Sequence, residues 1–397
     1  MIYFLFAMFF YHLALLIWLI YGARKLSNLG NIPLPSADAT LPSLCIIVPA
    51  RNEENTIETG LTSLSRLRYP HLEVIVVNDR STDRTGEVIN RFTAKDSRFK
   101  QISVSHLPSG WLGKNHALHL GAKSCRSELV LFTDADVEID DSFLKKAVVF
   151  FQHNRLDHLG AIPRVTSKQW TVYPLLGVFG LSFSLFTRPW QGKDPLKDRA
   201  VGIGAFNLVR KSSYDSISGH ETLRLRPDDD LKLALLMKRA GLKTDCVKGL
   251  EGLTVEWYSS IGELTKGLEK NVMTGFEYSF PQAVLGHLLF FMTFLLPFML
   301  PFFAEGIGFL FSCLTVMILL MAYFGQLYEA QMPLSCTLFF PFASTLIFGI
   351  FSRACWLTFK NQGVYWRDTF YSLESLRSNT LALPGSLKTK KKQLTQD

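Results

Sequence analysis

The chain has 397 residues, 42 basic against 34 acidic side chains, a formal net charge of +8 at pH 7 and 48% hydrophobic residues. This modest positive charge comes without a basic stripe interleaved with aromatic residues, which argues against nucleic-acid binding and favours contact with a membrane surface. The six cysteines show no CxxC pairing, and three lie in apolar segments. They indicate reduced core residues and exclude a disulfide framework or a structural zinc site.

The first apolar segment, IYFLFAMFFYHLALLIWLIY, covers residues 2–21 and carries no charge. Its length suits a helix that crosses a bilayer. It lacks a basic start and a small-x-small cleavage site, which favours an uncleaved transmembrane anchor over residues 1–23 instead of a signal peptide. Arg24 and Lys25 follow directly, so the positive-inside rule predicts a cytoplasmic location for the soluble domain expected over residues 24–280.

Residues 281–358 are mostly apolar again, and a basic tail over residues 359–397 follows them. We expect that tail to be cytoplasmic as well. Three full crossings after the domain would leave the tail on the opposite side, so one of the three segments is predicted to be re-entrant or interfacial. The segments lie near 283–304, 306–324 and 334–357. The chain is therefore expected to be a multi-pass integral protein of a bacterial cell membrane, with two or three membrane helices in this region.

The soluble middle alternates buried strands, polar turns and helical patterns. LCIIVPA from Leu44, LEVIVV from Leu72 to Val77 and ELVLF before Thr133 are continuous apolar runs, and GKNHALHLGAKSC has a helical pattern. Apolar runs without alternation indicate strands covered on both faces, as in a parallel sheet. This pattern predicts a doubly wound α/β domain whose ligands bind beyond the carboxyl ends of the strands.

Three polar turns follow these strands, and each carries two carboxylates. They are Glu53 and Glu54, Asp79 and Asp83, and Asp134 and Asp136. For Asp83 a helix-capping role is at least as good an interpretation as a ligand role. The pair Asp134 and Asp136 is harder to explain by turn chemistry, because two close carboxylates repel each other unless a positive charge lies between them. The pattern predicts a hard divalent cation there.

Five stretches in this order resemble the family 2 glycosyltransferases with a GT-A fold. They are IIVPARNEE, VIVVNDRSTDRT, GWLGKNHALHLGA, LVLFTDADVE and PDDDLKLALLMKRAG, and the resemblance runs from about Leu44 to Gly241. It implies an α/β GT-A catalytic domain, Rossmann-like and doubly wound around a mostly parallel sheet, flanked here by transmembrane helices.

The resemblance also implies a donor site for a nucleotide-sugar. Its Asp-x-Asp element corresponds to Asp134 and Asp136, which would hold Mg²⁺ or Mn²⁺ against the donor diphosphate. The lysine of the GK pair corresponds to Lys114, near the donor. The donor-binding residues implied in this way are Pro49, Arg51, Glu53, Asp79, Lys114 and Asp134.

The acidic run DDD at 228–230 resembles the family pattern that supplies the general base. This implies Asp230 as the base, with Asp229 as the second candidate, in a single displacement that inverts the sugar. Acidic residues at this position would also complement a helix N-terminus, and both roles can coexist. The preceding glycine-containing segment is expected to line the acceptor pocket through Gly204, Ala205 and Phe206, although its glycines could equally serve a tight turn.

The Gln-x-x-Arg-Trp motif of many processive members is missing from the sequence. Its absence favours transfer of a single sugar, most simply from a UDP-sugar, to a lipid-borne hydroxyl or carboxyl group. Similar members act on carotenoid, hopanoid and other lipids. A processive polysaccharide synthase and a catalytically silent membrane scaffold are the alternatives.

Overall fold

The computed structural model describes residues 1–34, 41–366 and 369–378. Most of the predicted basic tail, residues 379–397, lies outside the described residues. The described residues form twelve strands: β1 Leu44–Ala50, β2 Leu72–Asp79, β3 Phe99–Val104, β4 Leu129–Phe132, β5 Val137–Ile139, β6 His158–Ile162, β7 Arg164–Thr166, β8 Asn207–Arg210, β9 Thr244–Lys248, β10 Leu253–Glu256, β11 Gly363–Trp366 and β12 Thr369–Ser372.

Fifteen α-helices are present in these ranges. They are α1 Ile2–Lys25, α2 Ile57–Ser65, α3 Thr85–Lys95, α4 Gly113–Ser124, α5 Asp141–His153, α6 Tyr173–Thr187, α7 Lys211–Ser216, α8 Gly219–Thr222, α9 Asp229–Arg239, α10 Ile261–Gly275, α11 Phe280–Phe290, α12 Leu296–Met299, α13 Gly306–Glu329, α14 Phe340–Asn361 and α15 Leu373–Ser378.

The described chain divides into two compact units. The sheet unit comprises residues 26–165 and 189–256, and the helical unit comprises residues 1–25, 166–188 and 257–378. Residues 166–188 and 257–280, which belong to the expected soluble domain, are part of the helical unit.

A seven-stranded sheet in the order β3-β2-β1-β4-β8-β6-β9 forms the centre of the sheet unit. Strands β3, β2, β1 and β4 are mutually parallel, and β6 is parallel to β9, whereas β8 runs antiparallel to both β4 and β6. The predicted doubly wound, mostly parallel α/β fold is therefore confirmed. A second sheet, in the order β5-β10-β7, lies in the same part of the chain.

The continuous apolar runs arise because helices cover both faces of the sheet. Alternate side chains of β1 enter two different clusters: Ile46 and Val48 pack on one face, and Cys45 and Ile47 pack on the other. Burying each such side chain stabilises the fold by about 1.5–3 kcal/mol. Because β1, β2 and β4 are parallel neighbours, their carboxyl ends and the three acidic turns meet at one edge of the sheet, as predicted.

The helical unit contains five segments that are long and apolar enough to cross a membrane: 2–25, 170–191, 280–302, 306–329 and 334–361. Four coincide with the apolar segments predicted from the sequence, and the fifth contains α6. The segment 280–302 is irregular where Pro297 and Pro301 interrupt it, with a π-helix over Phe291–Leu295 and a 3₁₀ turn over Leu300–Phe302. All six cysteines are free.

Candidate active site

The first two acidic turns fold against each other. The Glu54 amide donates to Asp83 Oδ2 at 3.1 Å, and the Thr85 amide at the start of α3 donates to Asp83 Oδ1 at 3.0 Å. Burial opposes ionisation of Asp83, but these hydrogen bonds, led by Thr85, lower its pKa. Arg84 occupies the N-cap position of α3, so Asp83 lies just before the helix, where its carboxylate organises the turn.

Asp79 ends β2 and is almost fully buried. The neighbouring Arg80 grips both of its carboxylate oxygens, with Nε at 2.7 Å from Oδ1 and Nη2 at 2.9 Å from Oδ2. A side chain at Gly113, which opens α4, would lie 2.3 Å from Asp79 Oδ2, so only glycine allows α4 to begin beside this ion pair. The predicted donor residue is thus fixed at the carboxyl edge, together with Pro49 at the end of β1 and Arg51 immediately after it.

Lys114, in the first turn of α4, reaches the Asp-x-Asp element. Its Nζ lies 2.7 Å from Asp134 Oδ1 and 4.0 Å from Asp229 Oδ1. Burial alone would disfavour the ammonium, but Asp134, Asp229 and Asp230 outweigh it and raise the pKa of Lys114. One lysine therefore links two acidic elements that are separated by almost a hundred residues.

The pKa of Asp136 is raised because this carboxylate is buried close to other carboxylates. Burial, followed by the charges of Asp134 and Glu53, raises its pKa to about 7. Within the described ranges, no group of three His, Cys, Asp or Glu side chains forms a complete metal cage. Mg²⁺ commonly uses only one or two carboxylates and completes its shell with water and substrate phosphates, so this incomplete oxygen set fits such a cation bound together with a donor.

Gly204 joins the two acidic elements through its backbone. Its amide donates to Asp230 Oδ2 at 2.7 Å, and its carbonyl accepts from the Asp134 amide at 3.2 Å. A Cβ at this position would lie 2.6 Å from Asp134 Oδ2 and 3.4 Å from Asp230 Oδ2. Because Gly204 has no side chain, the carboxylates of Asp134 and Asp230 can both lie close to its Cα.

Asp229 and Asp230 are neighbours in the first turn of α9 but have opposite environments. Burial opposes ionisation of Asp229, yet Lys114 and His220 outweigh it and lower the pKa of Asp229. Burial and the Asp229 charge raise the pKa of Asp230 to about 7. Asp228 occupies the N-cap position without a capping hydrogen bond from its side chain, and pairs instead with the buried Arg226 at 2.9 Å.

Supporting residues that the sequence analysis did not identify lie behind these aspartates. Asn207 on β8 donates from Nδ2 to the Asp230 carbonyl at 3.3 Å and bonds through Oδ1 with the buried His158. His220 approaches Asp229 Oδ2 at 3.5 Å. Tyr214 contacts His220. Only their tertiary neighbours distinguish these residues, because neither spacing nor residue type marks them in the sequence.

Phe206 and Ala205 differ from the expectation that they line an acceptor pocket. Phe206 is completely buried and its ring meets that of Phe143 edge to face at 5.2 Å, while Ala205 belongs to the same core. The Ala205 carbonyl accepts the Thr133 hydroxyl at 2.8 Å. Their side chains support the sheet below the site, and of the three predicted lining residues only Gly204 reaches the carboxylates.

Comparison with known proteins agrees with this fold. The sequence profile described as Glycosyl transferase family 2 matches residues 45–217. The chain is similar to the 4,4'-diaponeurosporenoate glycosyltransferase of Staphylococcus haemolyticus (strain JCSC1435), with 25% identity over 62% of this chain and 65% of that protein. It is also similar to the poly-beta-1,6-N-acetyl-D-glucosamine synthase of Staphylococcus epidermidis, with 33% identity over 32% of this chain and 29% of that protein. The chain thus spans less than two thirds of the length of both relatives.

Among solved structures, the mannosyltransferase PcManGT from Pyrobaculum calidifontis, in complex with GDP-Man and Mn²⁺, has the same overall fold. The TM-score is 0.53 at 17% identity, and the match covers 89% of this chain and 98% of that one. The matched profile, the named relatives and the sheet topology agree with one another. The chain therefore contains a domain that matches the family 2 glycosyltransferases, and it has the overall fold of this solved GT-A structure.

Proposed function

We propose that this enzyme transfers a single sugar from a nucleotide-sugar, preferentially a UDP-sugar, to a hydroxyl or carboxyl group of a lipid, with inversion at the anomeric carbon. The observation that carries the proposal is the backbone of Gly204, which holds Asp134 on one side and Asp230 on the other. A donor diphosphate near Asp134 and an acceptor near Asp230 would then flank one sugar. The staphylococcal relative named for 4,4'-diaponeurosporenoate supports the lipid class of acceptor.

Asp134 and Asp136 would hold the cation, Mg²⁺ or Mn²⁺, which supplies positive charge to the diphosphate. Lys114, a few ångströms from Asp134, adds a second positive charge on the donor side. Pro49, Arg51, Glu53 and Asp79 border the same sheet edge and are the proposed partners of the nucleoside.

Asp230 is the proposed general base. Its pKa of about 7 leaves it ready to exchange a proton at neutral pH. With a hydroxyl acceptor, the oxygen forms a bond to the anomeric carbon as its proton passes to Asp230. The bond between that carbon and the diphosphate oxygen breaks, and its electron pair leaves with the nucleoside diphosphate. A single displacement from the opposite face inverts the configuration, as in inverting glycosidases with a base opposite the leaving group.

The pairing of the strands on either side of the segment 170–191 bears on how that segment meets the membrane. The segment 170–191 lies between β6 and β8, which are hydrogen-bonded neighbours in one sheet. A single crossing there would put the two strands on opposite sides of the bilayer. We therefore assign α6 to a segment that enters and leaves on one side of the membrane.

Helix directions within the helical unit support three crossings. Tyr11 bonds to Thr293 at 2.8 Å, whereas Leu5 clusters with Leu300, so α1 and the segment 280–302 run in opposite directions. Helix α13 lies beside α1 and runs in the same direction as α1, opposite to the segment 280–302.

Helix α14 is antiparallel to the segment 280–302, because Phe280 meets Phe359 while Phe294 meets Phe340. Helices α13 and α14 therefore run in the same direction although they are consecutive. The segment 334–361 then begins and ends on one side, which removes the conflict over the tail. Arg24 and Lys25 assign that side to the cytoplasm.

The test is release of nucleoside diphosphate by the purified full-length protein in lipid, with a panel of sugar nucleotides, Mg²⁺ or Mn²⁺ and a total lipid extract. We expect release that needs both cation and extract and falls about 10²–10⁴-fold in Asp230→Asn. Asp215→Asn is the matched control, because that carboxylate is 55% exposed and pairs only with Lys211 among the contacts described.

Equal release by Asp230→Asn and the wild type would remove Asp230 as the base and move that role to Asp229. A product that grows to a polymer would favour the processive synthase. No release and no binding with any donor would refute the transfer function and leave a silent scaffold.

A further inference from the structure

A buried chain of polar side chains lies behind Asp229, on the side away from Asp134. Tyr214 of α7 and His220 of α8 are almost completely buried, and the imidazole of His220 meets the Phe132 ring edge to face at 4.8 Å. His220 Nε2 lies 3.5 Å from Asp229 Oδ2. Burying two polar side chains among apolar groups costs free energy of desolvation, which hydrogen bonds must offset. The contact of His220 with Asp229 therefore indicates that this pair serves to hold Asp229.

The hydroxyl of Tyr214 fixes the orientation of His220. It accepts the His220 backbone N–H at 3.0 Å and also lies 3.0 Å from His220 Nδ1. With one of its two lone pairs engaged by the amide, the hydroxyl can donate its own proton to Nδ1. This leaves the ring proton on Nε2, directed at Asp229, which is the arrangement that orients an imidazole through its second nitrogen.

The local backbone is adapted to this contact. Gly219 has a φ of +42°, and a Cβ there would lie 2.0 Å from the Tyr214 ring. Only glycine therefore lets the tyrosine pass beneath α8 and reach the imidazole.

The other oxygen of Asp229 faces Lys114, which it shares with Asp134. A cation bound at Asp134 would compete with the ammonium for that carboxylate. Asp229 would then be the remaining fixed anion that keeps Lys114 in the site. Asp229 can do this only while its own position is held from behind.

Resting on the proposed function, we propose that His220, oriented by Tyr214, is a positioning residue that holds Asp229 so that Lys114 stays directed at the donor diphosphate. His220 does not touch the substrate, and its effect reaches the donor through Asp229 and Lys114. The expected consequence of losing it is weaker donor binding with an unchanged requirement for acceptor.

The experiment compares His220→Leu, His220→Gln and Tyr214→Phe with the wild type, using full-length protein in lipid. Binding of UDP, with GDP as a second probe, is measured by calorimetry with Mn²⁺ present, and KM and kcat are measured for the donor. His119→Leu is the control, because this histidine lies five residues after Lys114 on α4 and its ring lies at a tilt to that of Trp111, with the centroids 5.0 Å apart.

We expect His220→Leu to weaken nucleotide binding and raise the donor KM about ten- to hundred-fold, as for loss of a hydrogen bond to a charged group. The acceptor KM should stay unchanged. His220→Gln should recover most of the loss, because its amide can accept from Tyr214 and donate to Asp229. His119→Leu should bind as the wild type does.

A double-mutant cycle separates this role from simple packing. If His220 acts through Asp229, then His220→Leu added to Asp229→Asn should change nucleotide affinity less than about twofold further. The inference would be overturned if the losses of nucleotide affinity in the two single mutants multiplied in the double mutant. It would also be overturned if all three variants had lowered melting temperatures but bound nucleotide as the wild type does. Absence of nucleotide binding by the wild type would instead refute the proposed function, and this inference with it.

Discussion

Replacing Gly204 with alanine tests the central geometry of the site with one methyl group. The new Cβ would lie 2.6 Å from Asp134 Oδ2 and 3.4 Å from Asp230 Oδ2. The second distance is an ordinary contact, but the first is too short, so the Asp134 carboxylate must retreat by roughly 0.8 Å. Because the side chain of Asp134 is 39% exposed, its carboxylate can move without disturbing the core.

A displacement of this size at reacting groups costs about 10²-fold in rate. We therefore expect Gly204→Ala to lower kcat about a hundredfold, equivalent to about 2.7 kcal/mol of activation free energy. The melting temperature should change little, because the backbone of Gly204 does not adopt a positive φ. Nucleoside diphosphate release at saturating donor and acceptor is the assay.

Two other glycines make this prediction specific. At Gly202 a Cβ would lie 2.1 Å from the backbone carbonyl of Asp230, which cannot rotate away, so Gly202→Ala should lower the melting temperature as well as the activity. At Gly275 no atom lies within 4 Å of the new Cβ, so Gly275→Ala should do neither. Wild-type kcat in Gly204→Ala would refute the view that Asp134 and Asp230 must keep their present separation.

Two further predictions follow from the site and from the helical unit. Because only ionised Asp230 can accept a proton and its pKa is raised to about 7, kcat/KM with a hydroxyl acceptor should rise with pH through about 7 and then level. Asp229→Asn removes the charge that helps to raise this pKa, so the residual activity should have its acid limb at lower pH; an unshifted or upward-shifted limb would contradict the assignment. The membrane topology predicts that alkaline phosphatase fused after Ala304 lies outside the cytoplasm and is active. At the C-terminus of the full chain the same enzyme should be inactive, whereas green fluorescent protein fused there should fluoresce. Active phosphatase at the C-terminus would refute the assignment of 334–361 to one side.

The parallel half of the fold was predictable because its signals are local. Strands such as β1 are covered on both faces, so their apolar runs have no polar interruptions. Each is followed by a polar turn and an amphipathic helix, which is enough to predict the order of elements and the edge where the turns meet. Strand β8 lacks such a signal: it has four residues, and its place between β4 and β6 depends on pairing with strands distant in the sequence.

The motif residues of the candidate site could be predicted from the sequence, whereas the residues that contact them from behind could not. Lys114, Asp134 and Asp230 stand in recognisable stretches, and the structure brings all three together. The support given by His220 depends on a contact made only after α8 has packed beside α9. Phe206 was misjudged for a related reason, because its neighbours on the chain reach the site while its own ring points into the core.

The structure bears most directly on the choice between the two adjacent aspartates. Successive residues of a helix point about 100° apart, so Asp229 and Asp230 face different surroundings although they share one turn. Asp229 lies between Lys114 and His220, and such a carboxylate stays ionised and in place. Asp230 is held by backbone amides, of Gly204 and Leu231, and no described ion pair involves its carboxylate. Because these environments separate the two pKa values, we propose that the anchored Asp229 organises charge and that Asp230, near neutrality, exchanges the proton.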